Sequence, residues 1–279
     1  MRFFTTHKQL VEHLKENPVD EIGIVPTMGA LHEGHISLVS RAINENDLVI
    51  VTIFVNPIQF DNKRDLKNYP RNLNEDFKKL YRFKKFIIVY APKVKDLYSN
   101  EMSSEKYIFG NVENIMEGLH RKGHFQGVAT IVEKLFSIFN PQRAYFGEKD
   151  FQQLMIIRKL ISQKKINITI VGCKTLRGLN GLALSSRNSR LTPRQLEHAP
   201  LIYKTLKEAK KLKSKFSPPD ILTYVENVFN SYGSLSLEYF ILADEKTLTP
   251  INDFCSKIRV RAFIAVKIGE IRLIDNIQF

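Results

Sequence analysis

Cysteine is scarce in this chain. Cys173 and Cys255 stand far apart, outside any CxxC spacing and with no paired histidines beside them. A disulfide framework or a zinc site is therefore not expected, and a reducing, cytoplasmic setting fits. Long apolar runs are missing too. The longest, Leu48 to Val55, falls far short of the ~20 residues a membrane helix needs. The opening MRFFTTHKQLVEHLK is charged and helically periodic, unlike a secretory signal. No GK[ST] and no GxGxxG occurs, so neither a Walker A loop nor a dinucleotide fingerprint is expected.

Acidic residues are outnumbered, 29 Asp+Glu against 42 Lys+Arg, for a net charge of +13. That balance suits nucleotides, phosphorylated substrates or nucleic acid. A well-solvated, lysine-rich surface gives the same number. The basic residues are spread along the chain with no RGG or RNP-like run, so nucleic acid is not the expected partner. The 279 residues are enough for one large or two modest domains.

The first half alternates apolar strands with helical segments. Strands are expected at Ile22–Val25, Leu48–Val55, Phe86–Ala91, Ala144–Phe146 and Ile166–Val171. Continuous apolar strands imply a sheet covered on both faces. Val128, Ile131, Val132, Leu135, Phe136 and Phe139 form one helical stripe, stopped by Asn140-Pro141. A further helix is expected from Phe151 to Gln163, with Asp150 able to cap it. The alternation predicts an α/β fold with a Rossmann-like parallel sheet over residues 1–175. Beyond that the character shifts. Thr192-Pro193-Arg194-Gln195 has capping-box spacing, a kink is expected at Pro200, and Ser217-Pro218-Pro219-Asp220 starts another helix. Three strands follow, Leu237–Ala243, Val260–Ile268 and Ile271–Ile274. Residues 176–279 are therefore read as a smaller α+β domain.

The sharpest feature is PTMGALHEGHISL, Pro26 to Leu38: a strand end, a glycine turn, then HxGH running into a helix. A helix N-terminus presents free N–H groups and partial positive charge, a ready anion site. Gly29 and Gly34 permit tight turning and close approach of backbone to phosphate. His32 and His35 lie three apart and share a face at the first turn. Two imidazoles there can donate to a phosphate gaining charge in a transition state. The spacing by itself also fits ordinary helix-start histidines or half of a metal site.

PTMGALHEGH followed by IFVNPIQF resembles the pantothenate synthetase family, whose superfamily binds ATP phosphates with a HIGH-like motif. The resemblance continues in order through YPR (Tyr69–Arg71), GHFQGVATIVEKLF (Gly123–Phe136) and YFGEKDFQQL (Tyr145–Leu154). GLALSSRN (Gly181–Asn188) and RLIDN (Arg272–Asn276) complete it. The resemblance implies that pantoate, β-alanine and ATP are the substrates, with Mg²⁺ on the ATP phosphates, a pantoyl-adenylate intermediate and a homodimer. It implies that His32 and His35 contact phosphate and that the backbone at Met28 approaches it. Gln59 and Gln153 would bind the pantoate hydroxyl and carboxylate, with Asn56 and Tyr69 shaping the pocket. Gly147 and Asp150 would hold the ribose, Lys149 would face phosphate, and the backbone near Leu176 would read adenine. Ser185, Ser186 and Arg187 would clamp the outer phosphates. Glu75 or Asp76 are candidates to assist the metal.

Taken singly, these residues have structural readings. Asn56-Pro57 can end a strand, Asp150 can cap a helix, and SSRN can be a turn plus a helix start. Three positions depart from the family pattern: Asn180 for an aspartate, Lys122 for a proline and Gln126 for an arginine. Asn180 removes a negative charge near the nucleotide loop, and Gln126 removes a positive charge from an anion contact or a structural pair. Rival functions are another HxGH nucleotidyltransferase and a basic nucleic-acid binder. The first would not be expected to carry IFVNPIQF together with FGEKDFQQL. The second predicts affinity that falls steeply with salt.

A carboxylate is a poor electrophile toward an amine, so ATP must activate it. The attacking carboxylate is already ionised near neutral pH, and the first step needs no general base. The protein must position reactants and neutralise charge; Lys149, Arg187 and the two histidines have the chemistry for it. The Leu176–Asn188 loop is expected to act as a lid or clamp that keeps water from the acyl-adenylate. His35→Ala is expected to cut adenylation at least about tenfold with the fold intact, because one donor at such a site carries roughly 10²–10³ in rate. Single-turnover adenylation beside circular dichroism measures this.

Overall fold

Residues rich in Val, Ile and Phe, punctuated by Gly, Pro and Asn, fold as a parallel sheet with covering helices. The computed structural model describes residues 1–98, 103–255 and 257–279. It contains two compact units: Met1–Glu148 with Gln152–Lys174, and Lys149–Phe151 with Thr175–Phe279.

The first unit holds β1 (Arg2–Phe4), β2 (Ile22–Thr27), β3 (Leu48–Ile53), β4 (Ile87–Tyr90), β5 (Arg143–Gly147) and β6 (Thr169–Cys173). All pair in parallel, in the order β1-β4-β3-β2-β5-β6. This is the Rossmann-like sheet. Ile24 faces Ile50 on one side and Ala144 on the other, and all three are fully buried. The chain runs from β2 outward to β3 and β4, then returns to place β5 on the other side of β2. In open parallel sheets, ligands bind beyond the carboxyl ends of the strands at such a reversal. The carboxyl end of β2 leads into Met28–His35, that of β3 into Phe54–Gln59, and that of β5 reaches Gly147.

Two local expectations fail, each for a physical reason. The opening residues are not helical throughout. Arg2–Phe4 pairs with Ile88–Tyr90 as an edge strand, and the helix His7–Glu16 begins only where the Thr6 side chain accepts the Gln9 N–H. The segment read as a strand from Ile166 enters the sheet at Thr169. The Ile166 N–H donates to the Ile161 carbonyl at 2.9 Å, so this residue still closes the preceding helix.

The second unit is an antiparallel sheet of β7 (Ser236–Asp244), β8 (Val260–Ile268) and β9 (Ile271–Gln278) in sequence order. Leu206, Ile221, Val225 and Phe229 from two helices share its core with Ile264, Val266 and Leu273. Thr192 with Gln195, and Ser217 with Asp220, form the capping boxes their spacing predicts. Pro200, which has no N–H to give, separates the helices Pro193–His198 and Leu201–Leu212.

Gly127, inside the helix His124–Phe139, packs directly on main chain. A Cβ there would sit 2.6 Å from Ile58 O and 2.7 Å from Gln59 Cα. Alanine in a helix interior normally gains ~1 kcal/mol over glycine, but here backbone must move. Gly127→Ala is expected to lose a net ~1–3 kcal/mol and to displace the Pro57–Gln59 turn. Urea unfolding measures the first, and a crystal structure of the variant the second.

Candidate active site

The loop after β2 is held open by an unusual acceptor. Gly29 adopts φ +76°, where a side chain would also press on Asp76 Oδ2 and Ile53 at 3.0 Å. The next two N–H groups, Ala30 and Leu31, donate to the Asp76 carboxylate at 3.1 and 2.7 Å. Asp76 is 2% exposed. Burial pushes its carboxyl up, and the Leu31 and Ala30 N–H groups pull it back down.

The helix Glu33–Glu45 then starts with a capping box made of two histidines. His32 Nδ1 accepts the Gly34 N–H at 3.1 Å, and His35 Nδ1 accepts the His32 N–H at 3.3 Å. Each ring therefore carries its proton on Nε2 when neutral. The rings lie 4.1 Å apart, tilted by 44°. Capping uses Nδ1 of both rings, whereas the expected phosphate donation would use Nε2 of the same rings, so the structural and functional readings of HxGH do not compete.

The loop after β3 carries the amides. Gln59 Nε2 donates to Met28 Sδ at 2.8 Å, and Asn56 Nδ2 donates to Gln59 Oε1 at 3.3 Å. Asn56 is buried, donates to Gly127 O at 3.0 Å and accepts from Tyr98 Oη at 3.0 Å. Tyr69 meets this group through an edge-on contact with Phe60, centroids 5.7 Å apart. Met28, Asn56 and Gln59 are therefore joined by direct contacts. Of the adjacent glutamines, Gln152 is structural: it donates to Val112 O and Ile115 O and accepts the Glu117 N–H. Gln153 is half-buried and makes no contact with Gln59 among the hydrogen bonds of the described residues.

In the second unit, Lys149 Nζ donates to Asp150 Oδ1 at 2.9 Å, and both sit just before Phe151. Leu176 is exposed, and its carbonyl accepts the Leu184 N–H at 3.0 Å. Ser185 Oγ accepts the Arg187 N–H at 3.3 Å and caps a short 3₁₀ turn, Ser186–Arg190. The SSRN segment is thus a cap followed by a turn, with Ser185, Ser186 and Arg187 on adjacent residues.

Among the described residues no group of three or more His, Cys, Asp or Glu could hold a metal ion. Glu75 is paired with Lys78 at 2.6 Å, and both oxygens of Asp76 accept main-chain N–H groups. Both carboxylates are thus engaged by donors from the protein.

A family model described as pantoate-beta-alanine ligase matches residues 2–278. The chain belongs to the pantoate-beta-alanine ligase family. It is 51% identical to the pantothenate synthetase of Flavobacterium psychrophilum, over 92% of this chain and 91% of that one. It is 47% identical to the pantothenate synthetase of Christiangramia forsetii, over 99% of both. The crystal structure of pantothenate synthetase from Thermus thermophilus superposes with a TM-score of 0.92 at 37% identity, covering 100% of this chain and 99% of that one. A Francisella tularensis pantoate-beta-alanine ligase, complexed with beta-gamma ATP and beta-alanine, superposes with a TM-score of 0.83 at 37% identity. It covers 100% of this chain and 97% of that one. Membership in the pantoate-beta-alanine ligase family makes this protein a ligase that joins pantoate to β-alanine.

Two departures from that family's pattern now have structural accounts. Gln126 Nε2 donates to both oxygens of Glu113 at 2.7 and 2.9 Å and to Tyr107 O, while its Oε1 accepts the Tyr107 N–H. In this chain the Gln126 amide makes a structural pair with Glu113. Asn180 Oδ1 accepts the Leu182 N–H at 3.1 Å, a turn contact that aspartate makes equally well. Nothing in the structure explains Lys122.

Sequence reasoning missed His124. It is 5% exposed; its Nδ1 donates to Gln59 O at 2.8 Å, and its Nε2 accepts from Arg121 at 2.9 Å. Arg121 lies 3.8 Å from the Glu117 carboxylate. The signal was there as the GHF triplet, but a distant backbone partner has no trace in local pattern. His124→Leu is expected to raise pantoate KM about five- to tenfold, the worth of one net hydrogen bond. His124→Asn, which keeps a donor near the Nδ1 position, is expected to recover most of it. Steady-state kinetics on both variants measures this.

Proposed function

We propose that this ligase works through a pantoyl adenylate. The pantoate carboxylate attacks the α-phosphate of ATP, forming the acyl–phosphate bond as pyrophosphate leaves. The β-alanine amine then attacks the acyl carbon, loses a proton and releases AMP. The observation that carries this reading is the double-histidine cap. It turns the start of the Glu33–Glu45 helix into an anion site with ring donors on Nε2. Such donors gain strength as the phosphate accumulates charge, which is where a preorganised dipole lowers the barrier.

In this reading His32 and His35 stabilise the phosphate, and the Met28 backbone approaches it. Gln59 and Gln153 bind the pantoate hydroxyl and carboxylate, while Asn56 and Tyr69 shape the pocket. An amide offers both donors and an acceptor without adding charge. Asn56 already presents its own amide to Gln59, which holds the glutamine for that task. Gly147 and Asp150 hold the ribose, Lys149 and Arg187 neutralise phosphate charge, Ser185 and Ser186 clamp the outer phosphates, and backbone near Leu176 reads adenine. The Leu176–Asn188 loop serves as the clamp of a C-terminal domain over residues 176–279, with residues 1–175 as the ATP- and pantoate-binding domain.

Mg²⁺ belongs to this reading as part of the substrate Mg-ATP. Mg²⁺ bound to nucleotide is usually held mainly through phosphate oxygens and water. No helix among the described residues is long and apolar enough to cross a membrane. By family resemblance we take the enzyme to act as a cytoplasmic homodimer.

ATP–pyrophosphate exchange that requires pantoate and Mg²⁺, and proceeds without β-alanine, is the expected outcome. Exchange driven by a nucleotide or phosphorylated acceptor in place of pantoate would overturn the reading.

A further inference from the structure

The RLIDN segment near the C-terminus has no part in the chemistry above, yet it carries one of the most buried polar networks of the second unit. Asp275 and Asn276 lie side by side on β9 at 5% and 3% exposure. Neighbouring residues of a strand point to opposite faces, so the two reach different segments.

Asp275 receives a fork. Arg177 Nη1 and Nη2 donate to Oδ2 and Oδ1 at 2.5 and 2.9 Å. Asp275 Oδ1 also accepts the Asn276 N–H at 2.8 Å. The Arg177 guanidinium reaches on to Gly181 O and Asn276 O and stacks on Tyr203 at 3.7 Å. Both terminal nitrogens and one face of that planar group are used, which holds the main chain at Leu176–Arg177.

Asn276 faces the other way. Its Nδ2 donates to Lys149 O at 2.9 Å, and its Oδ1 accepts from Arg261 Nη1 at 2.6 Å. Arg261, 7% exposed, lies over the Phe151 ring at 3.9 Å. The bond from Asn276 ends on the Lys149 carbonyl and not on its ammonium. It sets where the Lys149–Phe151 backbone runs while leaving the side chain to its own work.

Stability is a poor reason for such a network. Buried ion pairs can often be replaced by apolar residues at no loss, and this one is incompletely satisfied. Arg261 Nε is buried with no hydrogen-bond partner, and Arg261 Nη2 meets Glu245 Oε2 only as a 3.5 Å ion pair. What the network does supply is position, at two chain segments far apart in sequence.

We propose that Asp275 and Asn276 are positioning residues for nucleotide binding: Asn276 sets the Lys149–Asp150 turn, and Asp275, through Arg177, sets the main chain at Leu176. This rests on the reading in which Lys149, Asp150 and Leu176 contact ATP. Neither residue touches substrate.

Asn276→Asp and Asp275→Asn are the tests, with KM measured for ATP, pantoate and β-alanine and thermal unfolding followed separately. Asn276→Asp keeps an acceptor for Arg261 and removes the donor to Lys149 O. Asp275→Asn keeps the shape and weakens the fork. The expected result is a rise in ATP KM of about fivefold or more, the effect of one net hydrogen bond, with the other two KM values within twofold of wild type. Wild-type ATP KM in both variants overturns the proposal. So does an equal loss toward all three substrates, which is what general loosening produces. Lys149→Ala is the control for the underlying reading. If it leaves ATP KM unchanged while the β9 variants raise it, the turn is not a phosphate contact and the proposed positioning falls with it.

Discussion

Two N–H groups at the start of the Glu33–Glu45 helix are taken up by histidine ring nitrogens, and that choice of acceptor decides where the ring protons sit. Serine or aspartate would cap the helix as well but would spend a hydroxyl or a charge in doing so. Imidazole has two nitrogens across the ring from one another. One closes the helix end, and the other keeps a hydrogen directed away from it. The proposed mechanism depends on this division, because an anion bound at a helix terminus is held by whatever donors remain after the terminus has been capped.

Around that cap, the supporting contacts come from far along the chain. Asp76 holds the Ala30 and Leu31 N–H groups, and Lys79 donates to Leu31 O. Placing a carboxylate at 2% exposure costs desolvation energy that only close donors offset. The loop is therefore rigid because its anchor cannot be released cheaply. His124 acts in a comparable manner on the loop after β3, gripping a carbonyl of the turn that carries Gln59. In both places a buried polar side chain holds main chain beside residues of the proposed site.

The parts legible in the sequence were those written in local pattern. Apolar runs gave five of the six parallel strands, proline and hydroxyl spacing gave the caps at Thr192 and Ser217, and HxGH gave the helix start. The strand Arg2–Phe4 escaped because three residues carry no periodicity, and only pairing with β4 makes them a strand. Asp76 was noticed as acidic but weighed for metal binding. Its partners lie about 45 residues upstream, and no spacing rule links them. Gln152 and Gln153 show the same divide from the opposite side. The pair is visible in sequence, but which amide is spent on backbone depends on the Val112–Glu117 segment packed against it.

The three residues Lys149–Phe151 group with Thr175–Phe279, although the chain on either side of them groups with the first unit. The two units are therefore stitched rather than strung: the polypeptide passes from one to the other at three places instead of one. A fragment beginning at Thr175 would lack the ring beneath Arg261 and the carbonyl that Asn276 holds, leaving Arg261 without its stacking partner and Asn276 Nδ2 without its acceptor. Exchanging the C-terminal part between relatives therefore calls for carrying that short tripeptide along.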